Sequence, residues 1–416
     1  MTRLLYTLLF RAALPLIWLR LYLKGRKQPE YLQHTGERRG FYTQSCDRPL
    51  IWIHAVSVGE TRAAEPLVRA LQTKYPDYQL LMTGMTPTGR EAGQKVYGDA
   101  VLQAYLPYDT PGAIRRFLDH FQPRLSILME TEIWPNLLAA CRQRGIPVIL
   151  ANARLSAESA RGYEKLGRLA RDAFTGLSGA AAQTEEDAQR LRSLGVSPAE
   201  VCGNLKFDVP LPEKMQKLGR QWREAIGTRP VWLAASTREG EEERVLDAWQ
   251  AVTTPEALLV LVPRHPQRFD EVAALLHRRG LSAVRRSHAL PEKETRVWLG
   301  DSMGEMVAYY TLADVAFIGG SLLPLGGQNL IEAAACGCPI LVGPHTFNFE
   351  QATEDALGCG AAQRIANADE LAGAINLLLA SPEQRQRMRQ AALEFAAAHR
   401  GATDRTMQLI LSLPGC

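Results

Sequence analysis

The 416-residue sequence lacks the short motifs that mark several large enzyme classes. It contains no GxxxxGKS/T loop, no HExxH pair and no GxGxxG after the first predicted strand. These absences argue against kinase-like, metalloprotease and nicotinamide-dependent functions, because each motif places the groups that its chemistry needs. An Asp-x-Asp pair that would hold a divalent metal against a diphosphate is also absent. A reaction that uses a nucleotide here would therefore depend on helix dipoles and basic side chains.

The cysteines do not form the pattern of a disulfide framework or a zinc site. Their number is odd, seven, and no CxxC pair occurs. This usage is typical of reduced thiols in the cytoplasm. Cys336 and Cys338 lack a neighbouring His or Cys that would complete a tetrahedral set, so we interpret them as a buried turn into a strand and predict no metal there.

The composition excludes a disordered or repetitive chain. It is 46% hydrophobic, 22% charged and only 7% aromatic, which is typical of a globular α/β protein without low-complexity segments. The chain is too long for one core at roughly 150 residues per domain, so we predict two large domains.

Acidic residues are missing from the first 27 positions. This apolar segment carries six cations: Arg3, Arg11, Arg20, Lys24, Arg26 and Lys27. A basic apolar terminus points to an anionic membrane surface, whereas the remaining chain has no basic bias toward nucleic acid. Arg11, Pro15 and Arg20 interrupt the segment, and no signal-peptide cleavage site follows it. We predict that residues 1–27 form an uncleaved membrane-anchor helix; the alternative is an amphipathic helix that covers the first domain.

Short apolar runs alternate with helical stretches in both halves of the chain. The runs of the first half are residues 50–56, 79–85, 100–107, 124–130 and 146–153. After a Pro- and Lys-rich stretch they restart at 231–236, 257–264, 297–300, 315–320 and 339–343. This alternation predicts two parallel sheets wrapped by helices. Ligands bind outside the carboxyl ends of such strands, so the polar, glycine-rich loops that follow each run are the predicted binding loops.

One glycine-rich loop of the second half has the form of a nucleotide site. Gly326 and Gly327 let the backbone approach a ligand, and a helix predicted to begin near Gln328 offers N–H groups to a phosphate. Glu332, one turn into that helix, is a candidate acceptor for ribose hydroxyls. The alternative is a packing turn without a ligand.

Two other loops of the second half follow its first two strands. Ser236 and Thr237 are candidate donors to phosphate oxygens, and Arg264 is a candidate cation for a leaving phosphate. We interpret Glu241–Glu243 as a solvated helix start, since acidic residues favour helix N-termini.

Glutamates follow two strands of the first half. SVGE ends at Glu60, and METE contains Glu130 and Glu132, so the three side chains are expected at one edge of the sheet. Paired carboxylates can separate into a base and a partner that positions it. Spacing alone favours a capping box with Ser57 for Glu60, and Glu130 or Glu132 could equally be a structural acid paired with an arginine.

Seven motifs in this order resemble those of the 3-deoxy-D-manno-octulosonic acid (Kdo) transferases of lipopolysaccharide synthesis: HAVSVGE, TGMTPTG, METEIWPN, NARLS, GNLKFD, PRHPQRF and FIGGSLLPLGGQNLIEAAACGCP. The resemblance implies a GT-B fold, with two Rossmann-like doubly wound domains facing a cleft. Residues 1–27 would be the anchor helix, 28–205 the acceptor-binding domain and 206–416 the CMP-Kdo-binding domain. It also implies an inverting glycosyltransferase that moves Kdo from CMP-Kdo to the lipid A precursor lipid IVA without a metal or other cofactor. The enzyme would work at the cytoplasmic face of the inner membrane.

The resemblance further implies roles for residues. Glu60 would be the catalytic base, and the second catalytic glutamate falls on METE, where we choose Glu132 over Glu130. Nucleotide binding carries over to Arg264, Met303, Gly304, Asn329 and Glu332. To these we add four substrate-binding residues: Lys206, Ser236, Gly326 and Gly327. Arg62 and Arg154 are expected either to meet the phosphates of the acceptor or to be solvated.

Two other functions stay open from the sequence. A nucleotide-sugar epimerase or hydrolase could use the same fold and would need no basic anchor. The second is a membrane-tethered module that binds a nucleotide sugar without catalysis. In such a module, Glu60→Gln would leave the binding affinity intact. The anchor and the acceptor loops favour the transferase, since a fold by itself does not fix a function.

Overall fold

The computed structural model describes residues 1–254 and 256–413, and it divides the chain into two compact units. The first unit comprises Met1–Val209 and the C-terminal segment that begins at Arg400, and the second comprises Pro210–His399. The predicted division into 28–205 and 206–416 differs from this at the C terminus. The physical reason is that the last helix packs Met407 and Ile410 into a core of the first unit.

The first unit is a parallel sheet of seven strands in the order β3-β2-β1-β4-β5-β6-β7. The strands are β1 Leu50–His54, β2 Gln79–Gly84, β3 Val101–Tyr105, β4 Leu125–Met129, β5 Val148–Ala153, β6 Gly179–Ala182 and β7 Ala199–Val201. The helices are α1 Arg3–Lys27, α2 Val58–Ala63, α3 Glu65–Lys74, α4 Pro87–Tyr97, α5 Pro111–Phe121, α6 Pro135–Gln143, α7 Ala157–Leu166, α8 Arg168–Phe174 and α9 Glu185–Ser193. Four short 3-10 turns are Pro29–Leu32, Glu37–Arg39, Gly98–Ala100 and Leu205–Phe207.

The second unit is a parallel sheet of seven strands in the order β10-β11-β9-β8-β12-β13-β14. The strands are β8 Val231–Thr237, β9 Leu258–Pro263, β10 Ala283–Arg285, β11 Val297–Leu299, β12 Val315–Ile318, β13 Ile340–Val342 and β14 Ala362–Arg364. The helices are α10 Glu213–Ile226, α11 Glu241–Gln250, α12 Phe269–Arg278, α13 Met306–Leu312, α14 Ile331–Ala335, α15 Glu350–Gly358, α16 Ala368–Ala380 and α17 Pro382–Ala398, with a 3-10 turn at Pro266–Arg268. Helix α18, Ala402–Ser412, belongs to the first unit.

The central strands of both sheets are buried on both faces, which explains their continuous apolar sequences. In β1, Leu50 and Trp52 pack into one apolar core, and the alternate residues Ile51 and Ile53 pack into another. The predicted fold class, two doubly wound α/β domains after an N-terminal helix, is confirmed. Helix α1 matches the predicted segment 1–27. Within residues 1–254 and 256–413 it is the one helix long and apolar enough to cross a membrane by length and composition.

The strand order determines where the loops can form a site. It reverses between β1 and β4 in the first sheet, and between β8 and β12 in the second. Loops that leave neighbouring strands in opposite directions open a crevice, where ligands bind in doubly wound folds. SVGE and METE follow β1 and β4, and STRE and GGSL follow β8 and β12. The topology therefore places the predicted catalytic and donor loops at the two switch points.

Candidate active site

Glu60 lies in the first turn of α2, directly after β1. Ser57 is the N-cap, and its Oγ accepts a hydrogen bond from the Glu60 N–H at 3.2 Å. The Glu60 carboxylate accepts the Val56 N–H at 2.9 Å and the Ser57 hydroxyl at 2.8 Å. The Val56 N–H is one residue before the N–H used in an ordinary capping box. Because a carboxylate has about four acceptor positions, capping leaves room for an acceptor hydroxyl.

Glu130 and Lys206 form an ion pair beside Glu60. Glu130 follows β4 in the left-handed region with φ 56°, and its N–H donates to the Ala151 carbonyl at 2.9 Å. Its Oε1 accepts from the Lys206 Nζ at 3.4 Å. A non-glycine residue in this region is strained, and such residues cluster at functional sites. The structure therefore places Lys206 in the first unit, at the glutamate edge, and not in the predicted donor domain.

Asn152, which the sequence analysis did not select, holds the turn that carries Lys206. It lies at the end of β5 with φ 55°, and its Oδ1 accepts the Leu205 N–H at 2.9 Å. Asparagine tolerates left-handed backbone better than most residues. The available signal in NARLS was a polar Asn within the last two residues of the predicted apolar run 146–153.

Glu132 completes the cluster at the first switch point. The Trp134 indole N–H donates to its Oε2 at 3.1 Å. Burial and the negative charge of Glu60 raise the pKa of Glu132 to about 7, although the bond from Trp134 opposes the shift. Burial is also the main cause that raises the pKa of Glu60, and the charge of Glu130 adds to it; the Val56 N–H and Lys206 act in the opposite direction. Near neutral pH Glu132 therefore exchanges its proton readily beside Glu60.

Replacing Glu132 by glutamine should stabilise the protein at pH 8 and leave its stability near pH 5 almost unchanged. The pKa of Glu132 is raised by folding from 4.5 to about 7. Its contribution to stability is therefore complete below about pH 4.5 and is lost as the pH rises through about 7. Between pH 5 and pH 8 this pKa difference corresponds to a change in the free energy of unfolding of about 2–3 kcal/mol. Urea unfolding of both proteins at pH 5 and pH 8 measures it, and identical pH dependence in the two would contradict it.

In the second unit, two arginines meet around a glycine at the switch point. The Arg264 Nε lies 3.2 Å from the Gln328 Oε1. A Cβ on Gly320, whose φ is 71°, would lie 3.2 Å from the Gln328 Nε2 and 3.4 Å from the Arg238 Cγ. Burial, followed by the charges of Arg238 and Arg264, lowers the pKa of the adjacent His265. This cationic cluster suits a phosphate, and it adds Arg238 to the residues predicted from sequence.

Ser236 precedes this cluster at the end of β8 and has left-handed backbone with φ 57°. A Cβ on Gly319 would lie 2.6 Å from the Ser236 carbonyl oxygen, so a larger residue there would displace the strand end. This close approach of the two backbones fixes the loop after β8 against the loop after β12. The predicted site residue Ser236 is thus part of the junction between β8 and β12.

The predicted solvated helix start at Glu241–Glu243 is wrong for its first two residues. Glu241 and Glu242 are buried, and Glu243 is exposed. The Glu242 Oε1 accepts from Arg268 at 2.7 Å, in a buried ion pair. Glu241 is buried because tertiary contacts from another loop surround its carboxylate.

Glu241 accepts four backbone hydrogen bonds. The donors are the N–H groups of Arg238, Gly320, Ser321 and Leu322, at 3.2, 2.6, 3.1 and 3.0 Å. Successive N–H groups of this kind form a concave site for an anion, and the protein fills this one with its own carboxylate. A phosphate at this switch point would therefore need other donors, and Arg238 and Arg264 are cations beside this loop.

Gly326 and Gly327 both require glycine. Their φ angles are 89° and 73°, and a Cβ on Gly326 would lie 2.4 Å from the Asn348 Nδ2. The Asn348 N–H donates to the Gly326 carbonyl at 2.9 Å. The sequence predicted that the backbone of this loop would closely approach a ligand. In the structure, Gly326 closely approaches Asn348, and this contact fixes the shape of the loop.

Helix α14 begins at Ile331, and not near Gln328 as predicted. The Asn329 Oδ1 accepts the Ile331 N–H at 3.0 Å, and the Asn329 Nδ2 lies 3.4 Å from the Glu332 Oε1. The helix begins later than predicted because Gly326 and Gly327 have left-handed backbone. The Asn329 side chain also accepts the Ile331 N–H, which the prediction had assigned to a phosphate. Asn329 and Glu332 remain adjacent, as their proposed nucleotide contacts need.

Met303 and Gly304 lie at an exposed loop tip after β11. Met303 is 57% exposed, and nothing lies within 4 Å of a Cβ built on Gly304. The stem of the loop is held by Asp301, which accepts from Arg285 at 2.7 Å and from the Ser287 hydroxyl at 2.6 Å. Met303 and Gly304 take no part in the contact between Arg264 and Gln328.

The cysteines show the expected buried turn. Cys338 is buried and precedes β13, and Gly337, between Cys336 and Cys338, has a φ of 66°. No disulfide joins the six cysteines of the described residues, which are Cys46, Cys141, Cys202, Cys336, Cys338 and Cys359. Within residues 1–254 and 256–413, no group of three or more His, Cys, Asp or Glu side chains is arranged to hold a metal ion. Cys416 lies outside the described residues.

Comparison with known proteins identifies the family. Residues 33–209 match the family model described as 3-deoxy-D-manno-octulosonic-acid transferase (kdotransferase), and residues 284–395 match glycosyl transferases group 1. A 3-deoxy-D-manno-octulosonic acid transferase of Bordetella pertussis is 47% identical over 97% of this chain and 98% of its own length. The chain belongs to the 3-deoxy-D-manno-octulosonic acid transferase family. A second Kdo transferase, from Haemophilus influenzae, is 42% identical over 99% of this chain and 98% of its own.

The predicted family and enzyme class are thus confirmed: the chain is a glycosyltransferase of the Kdo transferase family. Among solved structures, the UDP-GlcNAc 2-epimerase of Neisseria meningitidis bound to UDP-GlcNAc covers 87% of this chain and 99% of its own. Its TM-score is 0.61 at 17% identity, which shows a shared fold alone. The Kdo transferase match over 33–209 includes the loops of Glu60, Glu132 and Lys206, and the match over 284–395 includes Met303 to Glu332.

Proposed function

We propose that this Kdo transferase moves Kdo from CMP-Kdo to a lipid A precursor with inversion at the anomeric carbon, and that Glu60 is the general base. The observation that carries this proposal is the grouping of Glu60, Glu130, Glu132 and Lys206 at the first switch point. Membership of the family supports the transferred sugar.

In the proposed reaction, the hydroxyl oxygen of the acceptor attacks the anomeric carbon of Kdo while Glu60 takes its proton. The bond from that carbon to the phosphate oxygen breaks at the same time, and CMP leaves. A single displacement from the opposite face inverts the configuration. Glu132, with a pKa raised to about 7, is protonated in a large fraction of molecules at neutral pH, which reduces its repulsion of a charged Glu60. Lys206 offsets the charge of Glu130.

The second unit would hold the donor. We assign the phosphate of CMP-Kdo to Arg264 and Arg238, because both lie beside Gly320 and Gln328, where Glu241 already occupies the backbone nest of Gly320, Ser321 and Leu322. Asn329 and Glu332 would contact the nucleoside, and the loops of Ser236, of Gly326 and Gly327, and of Met303 and Gly304 would line the site. Two guanidinium groups can stabilise the leaving phosphate, so we propose that the reaction needs no metal ion.

The acceptor would be reached at a membrane. Helix α1 exposes leucines and carries six cations without an acid, which supports attachment to the cytoplasmic face of the inner membrane. CMP-Kdo is water-soluble and the lipid A precursor is acylated, so an enzyme at that surface would meet both substrates.

Purified protein incubated with CMP-Kdo, a lipid A precursor and EDTA should give a lipid product heavier by one or more Kdo residues, measured by mass spectrometry. The lipid product should form at the same rate with and without EDTA. Free Kdo without a lipid product would favour a hydrolase. CMP-Kdo bound without turnover would favour a binding module. Loss of product in EDTA that Mg²⁺ restores would contradict metal independence alone.

A further inference from the structure

The outer face of helix α1 is an exposed apolar strip that runs along the helix. We call it the leucine strip; its members, 47–72% exposed, are Leu4, Leu5, Leu8, Leu9, Leu16, Leu19 and Leu23. At 3.6 residues per turn these positions fall within an arc of about 140°. A continuous apolar strip of this kind on a protein surface marks an interaction site.

The inner face of α1 contacts the first unit in both halves of the helix. The Tyr6 hydroxyl donates to the Asp109 Oδ2 at 3.0 Å in the first half. In the second half the Trp18 ring packs edge-on against Tyr108, with centroids 5.4 Å apart, and the Arg39 guanidinium lies 4.7 Å over the same ring. Tyr6 and Trp18 are separated by about 18 Å along the helix axis.

Asp109 makes the first of these contacts rigid. This buried carboxylate also accepts the Asn136 and Leu137 N–H groups at the start of α6, at 3.0 and 2.9 Å. The Thr7 hydroxyl lies 3.0 Å from the Asn136 Oδ1. The helix is therefore fixed to the start of α6 by a network whose other members belong to the folded α/β unit.

These contacts exclude a transmembrane position for α1 while the first unit stays folded around it. A spanning helix would have to place about 30 Å of its length in hydrocarbon. Asp109 and Arg39 would then enter the hydrocarbon core with the helix, which is costly for charged groups. A helix held against the folded unit at both Tyr6 and Trp18 must instead run along the membrane surface.

The charges beside the leucine strip fit the same position. Arg11 and Arg20 lie on opposite sides of the strip, each about 90° from its centre at 3.6 residues per turn. Both are exposed. In a helix that lies flat, both side chains reach the headgroups while the leucines enter the acyl region. In a spanning helix they would lie inside it.

We infer that α1 lies flat in the interface of an anionic bilayer, with the leucine strip immersed, and does not span the membrane. This rests on the membrane attachment proposed above and defines its geometry. The occupant of the strip is a lipid surface and not a second copy of the chain, because two copies facing each other would bring basic rims together. Anionic headgroups complement those rims.

A disulfide between Thr7→Cys and Asn136→Cys tests whether α1 stays on the domain in the membrane. Inner-membrane vesicles that contain the full-length double variant are oxidised with copper phenanthroline and analysed on a non-reducing gel. We expect the cross-link to form, and the cross-linked protein to stay with the vesicles. The matched pair Leu8→Cys and Asn136→Cys should not cross-link, because Leu8 belongs to the outer strip. Cross-linking in detergent but not in vesicles would overturn the inference, since α1 would then leave the domain to span.

Immersion of the strip is tested by flotation with vesicles of phosphatidylethanolamine and phosphatidylglycerol. Replacing Leu8 and Leu16 by glutamine should lower the partition coefficient by at least about tenfold. Glutamine at Leu377 and Leu411, which are 52% and 44% exposed outside α1, should leave it unchanged. Unchanged partition of the first variant would overturn the inference, and a loss of self-association instead would assign the strip to a second copy. Kdo transfer to a detergent-dispersed acceptor, measured on each variant, separates a failure here from a failure of the proposed function.

Discussion

Replacing Glu60 by glutamine should lower kcat for Kdo transfer by about 10³-fold, which is the usual contribution of a general base. Glutamine has the same size and keeps an oxygen that can accept the Val56 N–H, which lies 2.9 Å from the carboxylate. It cannot take a proton from the acceptor hydroxyl. The free energy of unfolding in urea should therefore change by less than about 1 kcal/mol, so a loss of rate is not a loss of fold.

The matched control removes the cap and keeps the carboxylate. Ser57→Ala deletes the Oγ that accepts the Glu60 N–H at 3.2 Å. Loss of such a cap costs about 1 kcal/mol. We expect this variant to be less stable than wild type and to retain kcat within about tenfold. The opposite pattern, a stable Ser57→Ala variant and a Glu60→Gln variant that unfolds early but turns over normally, would make Glu60 a helix cap only.

Replacing Glu241 by alanine should destabilise the protein by at least about 3 kcal/mol and abolish CMP-Kdo binding. The change leaves four backbone N–H groups, those of Arg238, Gly320, Ser321 and Leu322, without their acceptor. An unsatisfied buried donor costs about 1–3 kcal/mol, and water entry offsets part of the sum. The loop also carries Gly320, which lies against Arg238 and Gln328 of the proposed phosphate site.

Glu243→Ala is the control for that experiment. Glu243 is in the same first turn of α11 and is exposed. We expect its removal to change stability by no more than about 0.5 kcal/mol. Chemical unfolding followed by fluorescence, together with calorimetric titration with CMP-Kdo, compares the two variants. Equal stability of both variants would show that the Glu241 carboxylate does not hold the loop.

Most of the sheet could be predicted because its long central strands are buried on both faces. Such strands appear as apolar runs, and each of the ten predicted runs coincides with one observed strand to within two residues at either end. The four strands that were missed, β6, β7, β10 and β14, are three or four residues long, and β6 consists of Gly and Ala. A run of this kind has neither the length nor the branched side chains that signal a strand.

The candidate site was predictable where a motif follows a central strand. Glu60, Glu132 and Arg264 were selected from such loops, and the strand order accounts for the placement of Glu60 and Glu132 at the first switch point. Lys206 follows the edge strand β7, which was not predicted, and was added only beside the family resemblance. Asn152 and Arg238 were missed because their role depends on backbone conformation and on neighbours distant in sequence. Asn152, for example, accepts from Leu205, 53 residues later.

The wrong predictions share one physical origin, which is tertiary contact that a local pattern cannot show. Three successive glutamates at a helix start are usually solvated. Glu241 is instead enclosed by N–H groups about 80 residues later in the chain. The C-terminal residues were likewise assigned to the second domain. The apolar face of helix α18 does not by itself indicate which unit it packs on, and the structure shows that it packs on the first.

The most direct test of catalysis by this chain is a single-turnover reaction with excess enzyme, saturating CMP-Kdo and a lipid A precursor, in which CMP and the lipid product are both counted. Wild type should release one CMP for each Kdo found on the lipid, whereas Glu60→Gln should bind CMP-Kdo and form neither product on the same timescale. CMP released by wild type without a Kdo-bearing lipid would contradict transfer. A Glu60→Gln protein that forms the lipid at the wild-type rate would contradict the role of Glu60 as the base.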